Sequence, residues 1–169
     1  GNVVGKLEKK NVDTGSGLER VVMAVQDKDN IFATDLFSSV MDIIKNSAKN
    51  YNERSARIIA DHIRTSVFLI NDGVVPSNMD RGYVLRRLLR RAIRHLDLLG
   101  IETSEIGLLV QAVTDLYLNV YIKNSDQAEY PYQIILEEEE RFRKTLKNGL
   151  KEFDKGVDPF ILFTTYGFP

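Results

Sequence analysis

Apolar residues recur at helical spacing along most of the chain, and polar or glycine-containing breaks divide them into separate stripes. Leu18, Val21, Val22 and Val25 form the first stripe. Leu36, Phe37, Val40, Met41, Ile43 and Ile44 form a second behind Asp35, a suitable N-cap. Asn50 to Asn52 interrupts the pattern, and Ile59, Ile63, Val67 and Ile70 resume it until Asn71-Asp72-Gly73. Pro76-Ser77-Asn78 then reads as an exposed turn. The next helix carries Val84, Leu85, Leu88, Leu89, Ala92, Ile93 and Leu96 and stops at Gly100. Ser104 can cap another, with Ile106, Leu109, Val110, Val113, Leu116, Tyr117 and Val120 at helical spacing. Beyond the polar stretch from Lys123 to Glu129, Pro131 is expected as the first residue of a long last helix. Its core face would hold Ile135, Phe142, Leu146, Leu150 and Phe153, and Gly156 would close it. Glu137, Glu139 and Glu140 each precede a base by one turn: Arg141, Arg143 and Lys144. At the other end, the Val-rich residues 3–12 alternate weakly and predict a strand, which Asp13-Thr14-Gly15-Ser16-Gly17 breaks. The expected architecture is mainly α, a bundle of about five helices preceded by a strand-turn-helix unit.

Composition narrows the class. The chain has 169 residues, 43% of them hydrophobic, and a net charge of -1, which excludes a disordered polyelectrolyte. It lacks cysteine, so neither a disulfide framework nor a thiolate metal site is available. His62 and His95 are too far apart in sequence for a local metal motif, and no metal ligand is expected. No apolar run approaches the roughly 20 residues of a membrane helix. No basic-then-apolar opening reads as a signal peptide, so a cytoplasmic setting is expected. The chain opens on Gly1 and runs out at Gly167-Phe168-Pro169 without a closing helix, so a piece of something longer is expected.

The near-zero net charge hides a local excess. Arg81, Arg86, Arg87, Arg90, Arg91 and Arg94 lie before His95 with only neutral residues among them, while Glu137 to Glu140 stand elsewhere. Arg87, Arg91 and Arg94 share one helical face, with Arg86 and Arg90 beside them. Guanidinium forks suit phosphate oxygens, and a row one turn apart can follow a nucleic-acid backbone. The same arginines can equally pair with Glu137 to Glu140 and cover apolar surface with their stems, as in a helical scaffold. Phosphate contacts position a ligand without specifying it, and Asn78, carrying both a donor and an acceptor, is placed to test a base edge. Tyr117, Tyr121, Tyr130 and Tyr132 are assigned to the core and its rim.

In Asp13-Thr14-Gly15-Ser16-Gly17-Leu18-Glu19-Arg20 the glycines allow close approach of backbone, and a helix starting at Leu18 aims its amides at an anion. Arg20 can reach a phosphate, and Asp13 offers a carboxylate to an ammonium group. The loop lacks the Gly-Lys-Ser/Thr ending of a Walker motif. A plain strand-to-helix turn with a capping acid accounts for it as well.

The run DTGSGLERVVMAVQ resembles motif 3 of the alanyl-tRNA synthetases, a family of class II aminoacyl-tRNA synthetases. The likeness continues through IADHIRTSVFLINDGVVPSN and RGYVLRRLLRRAIRH to TYGFP, across essentially the whole chain. It implies that residues 1–30 end an aminoacylation core, that 31–156 form a helical tRNA-recognition domain, and that 157–169 begin a following segment. Arg20 would bind ATP phosphate, Gly15 and Gly17 would lie against alanine and nucleotide, and Asp13 would hold the alanine ammonium. Family members identify their tRNA by a G·U wobble pair in the acceptor stem. Asn78 falls on the asparagine that contacts it, and Arg81, Arg86, Arg87, Arg90, Arg91 and Arg94 would grip the adjacent backbone. The family's second reader is an aspartate, replaced here by Thr164, whose hydroxyl brings no charge. The parent would use ATP and Mg²⁺ to join alanine to its tRNA. This stretch alone, lacking motifs 1 and 2, is expected neither to hold ATP nor to activate alanine.

Overall fold

The computed structural model describes residues 1–2, 4–6, 8–122 and 126–161, the side chains of 126–128 excepted. The protein is mainly helical, with six α-helices and two 3₁₀ turns among the described residues. They fall into two compact units, residues 1–38 and 39–169.

In the smaller unit, the described residues up to Gly17 have no regular structure. The strand expected over 3–12 therefore does not form there; a strand needs a neighbour for its N–H and C=O groups, and no second strand among the described residues supplies one. Helix α1, Leu18–Val25, starts behind Gly17 with Glu19 in its first turn, where a carboxylate suits the helix dipole. None of its residues is buried. A 3₁₀ turn at Ile31–Ala33 follows, and the Thr34 hydroxyl donates to the Ile31 carbonyl at 2.6 Å. The rings of Phe32 and Phe37 meet at 4.9 Å. Because residues 34–37 complete this turn, α2 runs Ser38–Ser47 and does not start at Asp35.

The larger unit is a bundle in which α3, Glu53–Asn71, packs chiefly on α4, Asp80–Leu99. The Asn52 side chain caps α3 by accepting from the Ser55 N–H at 3.0 Å. Ala56, Ile59, Ala60, Ile63, Val67 and Ile70 make its buried stripe, and Leu85, Leu89, Ala92, Ile93, Leu96 and Leu99 make that of α4. Gly100 takes a left-handed φ of 68° and ends α4. The Lys49 and Asn50 N–H groups both donate to the Leu99 carbonyl, at 2.9 and 3.1 Å, and tie the α2–α3 link to that end. Helix α5 runs Ile106–Tyr117 and stops short of the expected Val120. Asn119 adopts φ 64°, a conformation asparagine tolerates, and turns the chain; Val120 is left exposed.

Helix α6, Asp126–Asp154, extends about 43 Å. It begins ahead of Pro131, which lies inside it; the missing proline N–H forfeits one bond, to the carbonyl of residue 127. Its buried face is Ile135, Glu138, Glu139 and Phe142. Leu150 and Phe153, expected in the core, are about half exposed because no described element covers the last turns of α6. The two buried acids bind the bundle together. Glu138 receives Arg90 Nε at 2.7 Å, and Glu139 receives Arg143 Nε at 2.7 Å and the Thr103 hydroxyl at 2.6 Å. Arg143 also reaches Asp97 of α4 at 3.0 Å.

Breaking the Arg90–Glu138 pair leaves a carboxylate that is 2% exposed with only the longer contact to Arg141 Nε, at 3.8 Å, among the described residues. Arg90→Met is expected to lower unfolding free energy in urea by about 2–3 kcal/mol, and Arg90→Met with Glu138→Met to recover most of that loss.

Candidate nucleic-acid interface

Helix α4 and the turn before it bring most of the candidate residues into one unit. Residues 75–78 are folded back on the start of the helix. The Ser77 N–H donates to the Gly82 carbonyl at 3.1 Å, and the Ser77 hydroxyl donates to the Met79 carbonyl at 2.9 Å. A Cβ on Gly82 would lie 2.5 Å from the Val75 carbonyl oxygen and against the Ser77 side chain. This close approach is why a glycine stands inside a helix where it costs about 1 kcal/mol. Asn78 is thereby held, exposed, beside the first turns of α4.

The arginines divide by their surroundings. Arg87, Arg91 and Arg94 are exposed and lie within about 60° of one another around the helix axis. Arg81 is exposed in the first turn. Among the described residues, none of these four has a carboxylate within ion-pair distance. Arg90 turns inward to Glu138 and stands 5.1 Å from the Phe142 ring centroid. Arg86 donates to Asn78 Oδ1. The Tyr83 ring lies 5.5 Å from the Arg86 guanidinium and 5.8 Å from that of Arg87, so one ring attracts both cations.

Both histidines lie behind this surface, as packed groups. His62 is buried, with Nδ1 at 2.9 Å from Asp61 Oδ2. That hydrogen bond holds the Asp61 carboxyl below its usual value, helped by the charges of His62, Arg64 and Arg91 against an opposing desolvation. His95 Nδ1 lies 3.0 Å from Ser55 Oγ. Burial lowers the His95 pKa first, and Arg91, His62, Arg94 and Arg54 lower it further, so the imidazole is neutral at pH 7.

The glycine turn gives a different picture. Asp13, Gly15, Gly17 and Arg20 are all exposed. A Cβ on Gly15 would meet nothing within 4 Å, and one on Gly17 would meet only Glu19 Oε2 at 3.8 Å. A surface depression in this unit, lined by Gln26, Lys28, Ala33, Asp35 and Ser38, includes none of the four. Among the described residues these four do not by themselves form a cradle for ATP. Among the described residues no cluster of His, Asp or Glu could hold a metal ion, and no helix is long and apolar enough to cross a membrane. Thr164 lies outside the described residues.

Three features of the site escaped the pattern of the sequence: Gly82, Tyr83 and the Arg86–Asn78 contact. A glycine within a strong helical stripe was the available signal for the first, and an aromatic residue three and four positions ahead of two arginines for the second.

A helix that buries one side in a bundle and bares an arginine row on the other, beside a pinned polar turn, defines a helical domain with one basic exposed face. The family model for class II tRNA synthetases (A) matches residues 2–169, and the chain belongs to that family. It is similar to the alanine-tRNA ligases of Exiguobacterium sibiricum (41% identical), Shouchella clausii (42%) and Bacillus subtilis (40%). These matches cover 96–97% of this chain but 20–21% of the relatives, so the chain spans about a fifth of their length.

Two measurements test this geometry. Gly82→Ala must displace a backbone carbonyl and is expected to cost about 1–3 kcal/mol in urea unfolding. The depressed His95 pKa means the native state resists protonation there, so its contribution is complete above pH 6.5 and is lost as pH falls through that value. Stability is therefore expected to drop as pH falls below about 6.5, and to drop less in His95→Asn.

Proposed function

We propose that the chain is the tRNA-recognition part of an alanine-tRNA ligase, with the end of the aminoacylation core ahead of it. The parent protein would join alanine to its tRNA in the cytoplasm, using ATP and Mg²⁺. Residues 31–156 would grip the acceptor stem, residues 1–30 would close the aminoacylation core, and 157–169 would lead into the next segment. The observation that carries this reading is the arginine row of Arg87, Arg91 and Arg94, exposed and with no carboxylate within ion-pair distance among the described residues. With Arg81 it offers several phosphate contacts, which set position and affinity. Asn78 would read the G·U wobble pair, with Thr164 in the place of the family's second reader.

Asp13, Gly15, Gly17 and Arg20 would act only with the rest of the core around them, toward the alanine ammonium, the nucleotide and its phosphate. Their open surroundings in this chain support that dependence. The Arg90–Glu138 pair favours a scaffold role for that arginine and Arg86 is engaged by Asn78, so the backbone contacts are placed on Arg81, Arg87, Arg91 and Arg94.

The test is binding of the chain to an alanine-tRNA acceptor hairpin with its G·U pair intact or replaced by G·C. Affinity should fall steeply with salt, with a log-log slope of about -0.7 to -0.9 for each phosphate contact. Arg91→Ala is expected to weaken both hairpins about fivefold and to reduce the salt slope by about one contact. No binding by the folded chain would leave the scaffold reading in its place.

A further inference from the structure

We propose that Arg86 is a positioning residue which fixes the Asn78 carboxamide with its NH₂ group outward, so that this turn reads a hydrogen-bond acceptor on the minor-groove edge. The proposal rests on the acceptor-stem reading above and adds to it the polarity of the reader and the residue that sets it.

An asparagine side chain has a donor end and an acceptor end of nearly the same shape, and left free it can present either. A guanidinium has donors only. The atom of Asn78 that faces Arg86 must therefore be Oδ1, and the structure places it so. With the carbonyl engaged, the amide has two N–H donors left to offer. Arg86 is itself held. It is half-buried, the Tyr83 ring lies 5.5 Å from it, and no carboxylate among the described residues competes for it. The backbone carrying Asn78 is pinned by Ser77 and by the close approach at Gly82. Both partners of the contact are thus set before any ligand arrives, which lowers the ordering cost of binding.

The consequence is chemical. In the minor groove a pyrimidine offers O2 and a purine offers N3 as acceptors, while guanine adds the N2 amine as a donor. An outward NH₂ is repelled by that amine and attracted by O2 or N3. A wobble pair displaces the pyrimidine, and O2 with it, so a donor held at one point distinguishes G·U from G·C. An asparagine free to rotate would present its carbonyl to the guanine amine instead and lose that distinction.

The experiment has two arms, both on the whole chain. In the absence of nucleic acid, ¹⁵N relaxation of the Asn78 side-chain amide should show an ordered group in the wild type and a mobile one in Arg86→Ala. Equal order in the two proteins overturns the lock. In the hairpin assay, Arg86→Ala should lower the ratio of G·U to G·C affinity about tenfold, to the level of Asn78→Ala, and the double variant should go no lower. Arg86→Lys, which keeps the charge and N–H donors but not the planar fork, should restore part of that ratio. An unchanged ratio with both affinities reduced would make Arg86 one more phosphate contact and overturn the proposal. If the wild type does not distinguish the hairpins, the acceptor-stem reading fails, and the relaxation arm alone upholds or overturns the Asn78–Arg86 lock.

Discussion

The clamping of α4 at both ends is the constraint on which the larger unit depends. At its start, the chain from Val75 to Ser77 lies so close to Gly82 that no side chain fits between them. At its end, two consecutive N–H groups, of Lys49 and Asn50, share the Leu99 carbonyl before Gly100 turns the chain away. Between the clamps, six apolar side chains from Leu85 to Leu99 are buried, and the five that are Leu or Ile are each worth about 2 kcal/mol relative to exposure. A helix so held cannot rotate about its axis without exposing that stripe. The direction of every other residue on it is therefore decided, and the arginine row points away from the bundle because the leucines and isoleucines point in.

Electrostatics then follow from the same rotation. The acids that could neutralise the row stand on α6, but its register sends Glu138 and Glu139 into the interior. There they take Arg90, Arg143 and Thr103. Buried carboxylates need partners, and those partners are cations withdrawn from the surface or already near it. The result is a chain with a net charge of -1 that keeps a basic stripe free of ion pairs among the described residues. A field of this kind attracts a polyanion while adding little to fold stability, since exposed charges are worth little to folding.

The helical stripes and the exposed face of Arg87, Arg91 and Arg94 were legible in the sequence because both depend on a 3.6-residue period alone. What period cannot supply is what covers a face. Leu150 and Phe153 continue the apolar stripe of α6 and read as core, yet no described element reaches them. The choice of Arg90 as the inward arginine depends on a carboxylate 48 positions away. Its neighbour Arg86 differs from it by one helical turn and has a different partner. Pro131 looked like a helix start because proline is favoured there, but one forfeited hydrogen bond did not outweigh the gain from extending a packed helix. The weak alternation of residues 3–12 described an inclination to extended structure, which becomes a strand only when another strand accepts it.

The two groups of candidate residues differ in how far their chemistry is carried by this chain. Asp13, Gly15, Gly17 and Arg20 lie close together in sequence, but exposed side chains and open glycines leave their separations to whatever surrounds them. A catalytic arrangement needs its groups held to within a fraction of an ångström, which a loop with nothing packed on it does not achieve. Asn78 and the arginines of α4 belong instead to a helix and a turn that bonds back onto it, so their relative positions are properties of the bundle itself. Discrimination between base pairs and adhesion to phosphate place different demands on structure. Adhesion tolerates long, hydrated side chains at the surface, and Arg87, Arg91 and Arg94 are of that kind. Discrimination requires a donor whose direction is set in advance, and a short side chain held by a second residue against a pinned backbone meets that requirement.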